Sequence, residues 1–322
     1  MDVRRVENRE RAVVLVDPAL AEPVLETLEK TTGRTVERYT ETASRDLDAH
    51  VASDVPIIYV GPDLPESLRS ERLLWFHSTN AGIDALLRSG AWPAGALLTR
   101  TVGGMGERIA EYVLAWILAE CQNVPAFLAQ QQRAEWRRLP SELAAGQTAL
   151  VYGAGRIGTR VSTLLRGCGI PTVGVARTAR AGEAGVDETV AVDTADAMLG
   201  QARWVVSTLP LTPETEAFFG PDRFAAMRGA TFINTGRGAT VDLHALAASL
   251  DSGALRAAVL DVLPEEPPRP DDAVWRLPRT VITSHSAGIT AADDVCTDFA
   301  ACWAALSEGR TPELAVAPAR GY

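Results

Sequence analysis

Near the end of the chain, the stretch "VITSHSAGIT" (281–290) places His285, one of only four histidines, where an apolar run meets small residues. Imidazole titrates near neutral pH, so a histidine at such a junction can give or take a proton. Two earlier stretches also end apolar runs with one conspicuous polar group. "INTGRGATVD" (233–242) carries Arg237 between Gly236 and Gly238, and "VLDVLPEEPP" (259–268) carries Glu266. The flanking glycines allow backbone and ligand to approach closely. A guanidinium holds a carboxylate through two parallel hydrogen bonds. A carboxylate beside an imidazole orients it and favours its proton-bearing form. Taken together the three groups suit reduction of a 2-keto acid: Arg237 grips the carboxylate, His285 protonates the oxygen, and Glu266 orients His285. Taken singly each has a blander reading, as a satisfied strand-end histidine, an ordinary "GRG" turn and an exposed acidic loop.

The hydride such a reaction needs points to a dinucleotide. "TALVYGAGRIGTRVSTLLRG" reads as strand, glycine turn and helix, with Gly153, Gly155 and Gly158 in G-x-G-x-x-G spacing. The first glycine permits the tight turn, the second lets backbone approach a pyrophosphate, and the third lets the helix pack on the strand. The new helix then turns its free N–H groups on the anion. NAD sites commonly end their second strand with an acid that binds the ribose 2′-hydroxyl. Here that place falls on Ala176, followed by Arg177, Thr178 and Arg180. Guanidinium groups beside a hydroxyl suit a 2′-phosphate. The expectation is NADP(H) in preference, with NAD(H) still possible; the alternative is a solvated arginine pair.

These groups need a scaffold of strands whose carboxyl ends share one edge. Short apolar runs at 12–16, 55–60, 73–77 and 96–99 suggest a small α/β unit, with a helix around Leu20, Val24 and Leu28. "VGGMGERIAEYVLAWILAECQ" then breaks the rhythm. Gly103 and Gly104 read as a hinge before a long helix with Ile109, Val113, Trp116 and Ile117 on one face. A second alternation places strands at 148–152, 172–176, 204–208, 230–234, 257–261 and 280–284. It is followed by an amphipathic segment carrying Val295, Phe299, Trp303 and Leu306. The fold class is therefore α/β with parallel sheets. The domains expected are 1–102 and 288–322 for substrate and 103–287 for the dinucleotide.

Bulk properties narrow the classes. The chain is 47% apolar and 22% charged, with net charge −10 and no basic block, which disfavours nucleic-acid and membrane-surface binding. No apolar run nears the roughly 18 residues of a membrane span. No signal peptide is visible, so a cytoplasmic protein is expected. Cys121, Cys168, Cys296 and Cys302 form no C-x-x-C, and no cluster has metal-ligand spacing, so no metal is expected. Of the other histidines, His50 lies in a polar stretch, His77 ends a strand, and His244 falls on a helix after a capping Asp242.

The sequence resembles the D-isomer-specific 2-hydroxyacid dehydrogenases, above all their glyoxylate/hydroxypyruvate reductase branch. The likeness runs from "FHSTNAGID" through "ERIAEYVLAWIL", "ELAAGQTALVYGAGRIG" and "STLPLTPETE" to "HSAGIT". It implies two doubly wound domains, with a Rossmann domain inserted into a discontinuous flavodoxin-like one. It implies Arg237, Glu266 and His285 as the catalytic set. It also implies cofactor contacts at Arg156, Ile157, Pro210, Thr235, Asp261 and Gly288, with Asp261 by the nicotinamide. Asn80, Ala81 and Gly82 resemble a loop whose backbone holds the substrate carboxylate. Domain closure about the hinge would exclude water. A homodimer is implied, and the helix from 107 is the element expected at its interface. Ala176 and Arg177 depart from members with an acid there, and Glu266 departs from the formate dehydrogenases, which carry glutamine. Two other relatives leave alternatives open: corepressors that sense nucleotide on this fold, and phosphite-oxidising enzymes with a similar site.

Overall fold

Runs of β-branched and large apolar residues bounded by turns make strands that are buried on both faces, as parallel sheets covered by helices require. In the computed structural model, which describes residues 10–40, 55–88, 90–180 and 189–318, these runs build two compact units. One comes from both ends of the chain, up to Gly104 and again from Thr290; the other spans Met105–Ile289.

The end-built unit contains β1 (Val13–Val16), β2 (Val36–Arg38), β3 (Ile57–Gly61), β4 (Leu73–Ser78) and β5 (Leu97–Arg100). All pair in parallel in the order β2-β1-β3-β4-β5, the flavodoxin-like arrangement. Helix α1 (Glu22–Thr32) buries Val24, Leu25 and Leu28; Leu20 lies before the helix and packs on its core. Helix α2 (Asp84–Arg88) is a short turn after β4. The chain returns as α9 (Ala292–Ser307), which brings Phe299 onto Trp75 with ring centroids 4.7 Å apart. His77 belongs to this core and is wholly buried. Trp75 Nε1 donates to Thr99 Oγ1 at 2.7 Å, and His77 Nδ1 lies 2.7 Å from the same hydroxyl. His77 Nε2 lies 3.0 Å from Thr101 Oγ1. Burial lowers the His77 pKa to about 3, so the ring is neutral. His50 lies outside the described residues.

The second unit opens with α3 (Met105–Cys121), whose Ile109, Val113 and Ile117 are buried, and a bent continuation, α4 (Val124–Gln132). Its strands are β6 (Ala149–Tyr152), β7 (Thr172–Ala176), β8 (Thr189–Ala191), β9 (Trp204–Ser207), β10 (Thr231–Asn234), β11 (Ala257–Leu260) and β12 (Thr280–Ile282). They run in parallel as β12-β11-β10-β9-β6-β7-β8. From β6 outward this is the dinucleotide-fold order with one strand added, and the order reverses between β6 and β9. Helices α5 (Arg156–Gly167), α6 (Val192–Asp196), α7 (Pro221–Ala226) and α8 (Leu243–Asp251) cover the sheet. Asp242 caps α8 by accepting from His244 N and Ala245 N, and His244 is exposed. Strands β2 and β8, of three residues each, escape the sequence reading. No single helix among the described residues is long and apolar enough to cross a membrane.

Candidate active site

At the reversal point the glycine turn follows β6. Gly153 has φ +103°, a conformation natural to glycine, and a side chain there would meet Thr208 Oγ1 at 2.7 Å. At Gly158 an added Cβ would lie 2.1 Å from the Gly153 carbonyl oxygen, so α5 lies hard against the turn. Gly155 differs from both: an added Cβ would meet nothing within 4 Å. The middle glycine thus presents open backbone at the start of α5, where helix N–H groups can receive an anion. Arg156 is exposed and Ile157 half-buried in the first turn of that helix. Arg177, Thr178 and Arg180 follow Ala176 at the end of β7 and are all exposed. Pro210 is exposed beyond β9, and its carbonyl accepts from Thr215 Oγ1 at 2.7 Å.

The three polar groups stand along neighbouring strands. Asn234, Leu260 and Ile282 pair in register at the carboxyl ends of β10, β11 and β12. Arg237, Glu266 and His285 follow them by three, six and three positions. His285 Nδ1 lies 2.7 Å from Glu266 Oε2, while Glu266 Oε1 accepts from Leu263 N, also at 2.7 Å. An ionised carboxylate only accepts, so Nδ1 bears a hydrogen and Nε2 is the ring nitrogen left to exchange a proton. The His285 side chain is 52% exposed. Gly238 has no room for a side chain: an added Cβ would fall 1.9 Å from the Leu263 carbonyl carbon. The arginine turn therefore lies directly against the backbone that Glu266 holds.

Sequence reasoning missed the residues that fix these turns. Asn234, fully buried, accepts from Gly236 N and donates to the Arg237 carbonyl, each at 3.1 Å. Thr240 Oγ1 donates to that same carbonyl at 2.7 Å. An asparagine ending an apolar run just before "TGRG" was the available signal, because asparagine closes turns through its side chain. Two residues that the resemblance assigns to the cofactor also bond within the unit. Thr235 Oγ1 donates to the Ser207 carbonyl at 3.2 Å. Asp261, 3% exposed, accepts from Thr283 Oγ1 at 2.6 Å, Ser286 N at 2.8 Å and Ala287 N at 3.0 Å. Gly288 has α3 against it; an added Cβ would lie 2.9 Å from Met105 Cγ. Asn80, Ala81 and Gly82 belong to the end-built unit, after β4. There Asn80 Nδ2 donates to the Pro62 carbonyl at 3.4 Å and Arg100 donates to the Ala81 carbonyl at 3.0 Å. Among the described residues no group of three or more His, Cys, Asp or Glu side chains could hold a metal ion.

A glycine turn at the reversal point of such a sheet, with an acid-bound imidazole on the same edge, is the build of a nicotinamide-dependent oxidoreductase. The chain belongs to the D-isomer-specific 2-hydroxyacid dehydrogenase family: residues 114–287 match the family described as "D-isomer specific 2-hydroxyacid dehydrogenase, NAD binding domain". It is an NAD(P)-dependent enzyme of that family. It is 33% identical to glyoxylate/hydroxypyruvate reductase A of Serratia proteamaculans (strain 568), over 78% of this chain and 82% of that protein. It is also 54% identical to a Streptomyces coelicolor protein described as an uncharacterised protein in the mprR 3′ region, over 84% and 98%. A solved D-isomer-specific 2-hydroxyacid dehydrogenase of Xanthobacter autotrophicus Py2, in complex with NADPH and MES, superposes with a TM-score of 0.84. That pair shares 27% identity, covering 97% of this chain and 100% of that one. The NADPH-dependent glyoxylate/hydroxypyruvate reductase of Sinorhizobium meliloti, in complex with NADP and sulfate, gives a TM-score of 0.79 at 28% identity, with the same coverage.

Proposed function

We propose that the enzyme reduces a small 2-keto acid, such as glyoxylate or hydroxypyruvate, to the D-2-hydroxy acid, with NADPH as the preferred reductant. The observation that carries this is the 2.7 Å contact between His285 Nδ1 and Glu266 Oε2, on the strand edge that also bears Arg237. Arg237 holds the substrate carboxylate with its guanidinium. Glu266 fixes the imidazole so that Nε2 delivers a proton to the keto oxygen. In the reverse direction the same nitrogen accepts the hydroxyl proton. The nicotinamide, when bound, supplies the hydride.

The backbone of Gly153, Gly155 and Gly158, with Arg156 and Ile157, would hold the dinucleotide phosphates, and Pro210 and Gly288 would line its path. Thr235 and Asp261 would complete the cofactor contacts, Asp261 beside the nicotinamide. The absence of a carboxylate at Ala176, with Arg177, Thr178 and Arg180 beyond it, supports the 2′-phosphate form. NADH remains usable because the phosphate-binding turn is common to both. The reductases of Serratia and Sinorhizobium lend support on the substrate side, and the NADPH complex from Xanthobacter on the cofactor side. We take the reaction to be cytoplasmic, as the sequence reading expects. We also assign the exposed apolar residues around α4 to contact with a second copy of the chain. Val124, Phe127 and Leu128 are exposed there, and Trp136 beyond it is 98% exposed. Monomeric surfaces seldom gather such residues.

A steady-state assay over a panel of 2-keto acids, with phosphite added and with both reduced nicotinamides, tests the proposal. Turnover is expected with two- and three-carbon keto acids. His285→Ala is expected to lose most of it, on the order of 10²-fold or more, while NADPH affinity is kept. Tight nucleotide binding without turnover on any keto acid would overturn the proposal, as would full activity in His285→Ala.

A further inference from the structure

The turn that carries His285 is backbone that must be held in place. Ser284 and His285 are consecutive non-glycine residues with φ +56° and +55°, a region that side-chain-bearing residues rarely occupy. Asp261 holds the turn from inside. Its carbonyl accepts from His285 N at 2.6 Å, and its carboxylate accepts from Ser286 N, Ala287 N and Thr283 Oγ1. The carboxylate can only accept, so it takes the one hydroxyl proton of Thr283. Thr283 Oγ1 must then accept from its other partner, Tyr112 Oη on α3, at 2.6 Å. Burial is the main reason the phenol of Tyr112 is pushed up to about 12, so it keeps the proton it donates. Trp116, one turn along α3, stands edge-on to the Tyr112 ring with centroids 6.2 Å apart. Both hydroxyl protons in the row from Tyr112 to Asp261 therefore point one way. The same helix meets the far side of the turn, where Gly288 leaves no room against Met105 and Ile109.

We propose that Tyr112 is a positioning residue for His285, acting through Thr283 and Asp261 to hold the imidazole in line for proton transfer. This rests on the reading of His285 as the proton donor. None of the three groups need touch reacting atoms; their effect is on where His285 stands.

The test uses Tyr112→Phe, Thr283→Val and Thr283→Ser in the full-length protein, with unfolding midpoints measured to confirm folding. Tyr112→Phe is expected to lower kcat roughly tenfold with NADPH affinity unchanged, the split expected when only the reacting geometry is disturbed. Thr283→Val should do the same, Thr283→Ser should restore activity, and the Phe/Val double variant should be no worse than the worse single one. Because the chain has only four histidines, the downfield proton signal of His285 Nδ1 can be assigned by NMR. It is expected to move or exchange faster in Tyr112→Phe. A kcat within twofold of wild type in both deletion variants, with that signal unmoved, would overturn the proposal. If the wild type itself turns over no keto acid, the functional reading falls. The imidazole signal still decides this proposal, since an unmoved signal sinks it.

Discussion

Arg177 and its neighbours illustrate what one side chain can decide. Ala176 closes β7 without a charge, and Arg177 and Arg180 stand exposed just beyond. A hydrogen bond to a charged group contributes about 1.5–3 kcal/mol, and of the two nucleotides only NADPH carries a phosphate on that ribose. Arg177→Ala should therefore weaken NADPH by roughly tenfold or more, beyond any change in NADH. Fluorescence titration of both nucleotides measures this, and equal losses would refute the assignment. At this scale the sequence was most informative where residue types are scarce. His285 stood out as one of four histidines and Arg237 as a cation between glycines. Tyr112, Thr283 and Asn234 are common types in ordinary contexts. Only their contacts at 2.6 Å and 3.1 Å separate them from other strand-end and helix residues.

Elements explain why three glycines so close together have different work. Gly158 is packed against the Gly153 carbonyl, whereas Gly155 has ordinary φ of −86° and open space beside it. Gly158→Ala should destabilise the fold by about 1–3 kcal/mol, the cost of forcing a methyl into packed backbone. Gly155→Ala should leave stability within about 1 kcal/mol yet weaken NADPH markedly, because the new methyl stands where the pyrophosphate would approach. Paired denaturant unfolding and nucleotide titration separate the two, and equal stability losses would show that Gly155 is structural. Helix α3 shows how far element-level reasoning reaches. Its apolar face of Ile109, Val113 and Ile117 is buried within its own unit, as the periodicity suggests. That pattern does not disclose that Tyr112, on a half-buried flank, reaches the end of β12.

At the scale of the whole molecule, the same burial bears on assembly. Although α3 buries Ile109, Val113 and Ile117 inside the unit, exposed apolar residues run from Leu118 near its end through α4 to Trp136 and Leu143, which is 78% exposed. The proposed contact with a second copy includes this stretch, which continues the long helix. Sedimentation of the wild type at micromolar concentration should give a dimer, and Leu128→Glu combined with Trp136→Glu should give a folded monomer. Burying charge in an apolar contact costs far more than leaving it in water. A wild-type monomer, or a variant that still dimerises, would rule the surface out.

The sequence by itself determined the parallel α/β fold, the glycine turn and the identity of three polar groups at strand ends. Those features reside in local spacing and in rare residue types, which need no knowledge of distant contacts. Tertiary structure decided which groups meet: Glu266 with His285, Asn234 with the Arg237 turn, and Tyr112 with Thr283 across 171 positions. It also decided that His77, which ends a strand, is a neutral core residue. Hydrogen-bond partners and burial are properties of how strands stack in register and how helices cover them, and a linear pattern carries neither.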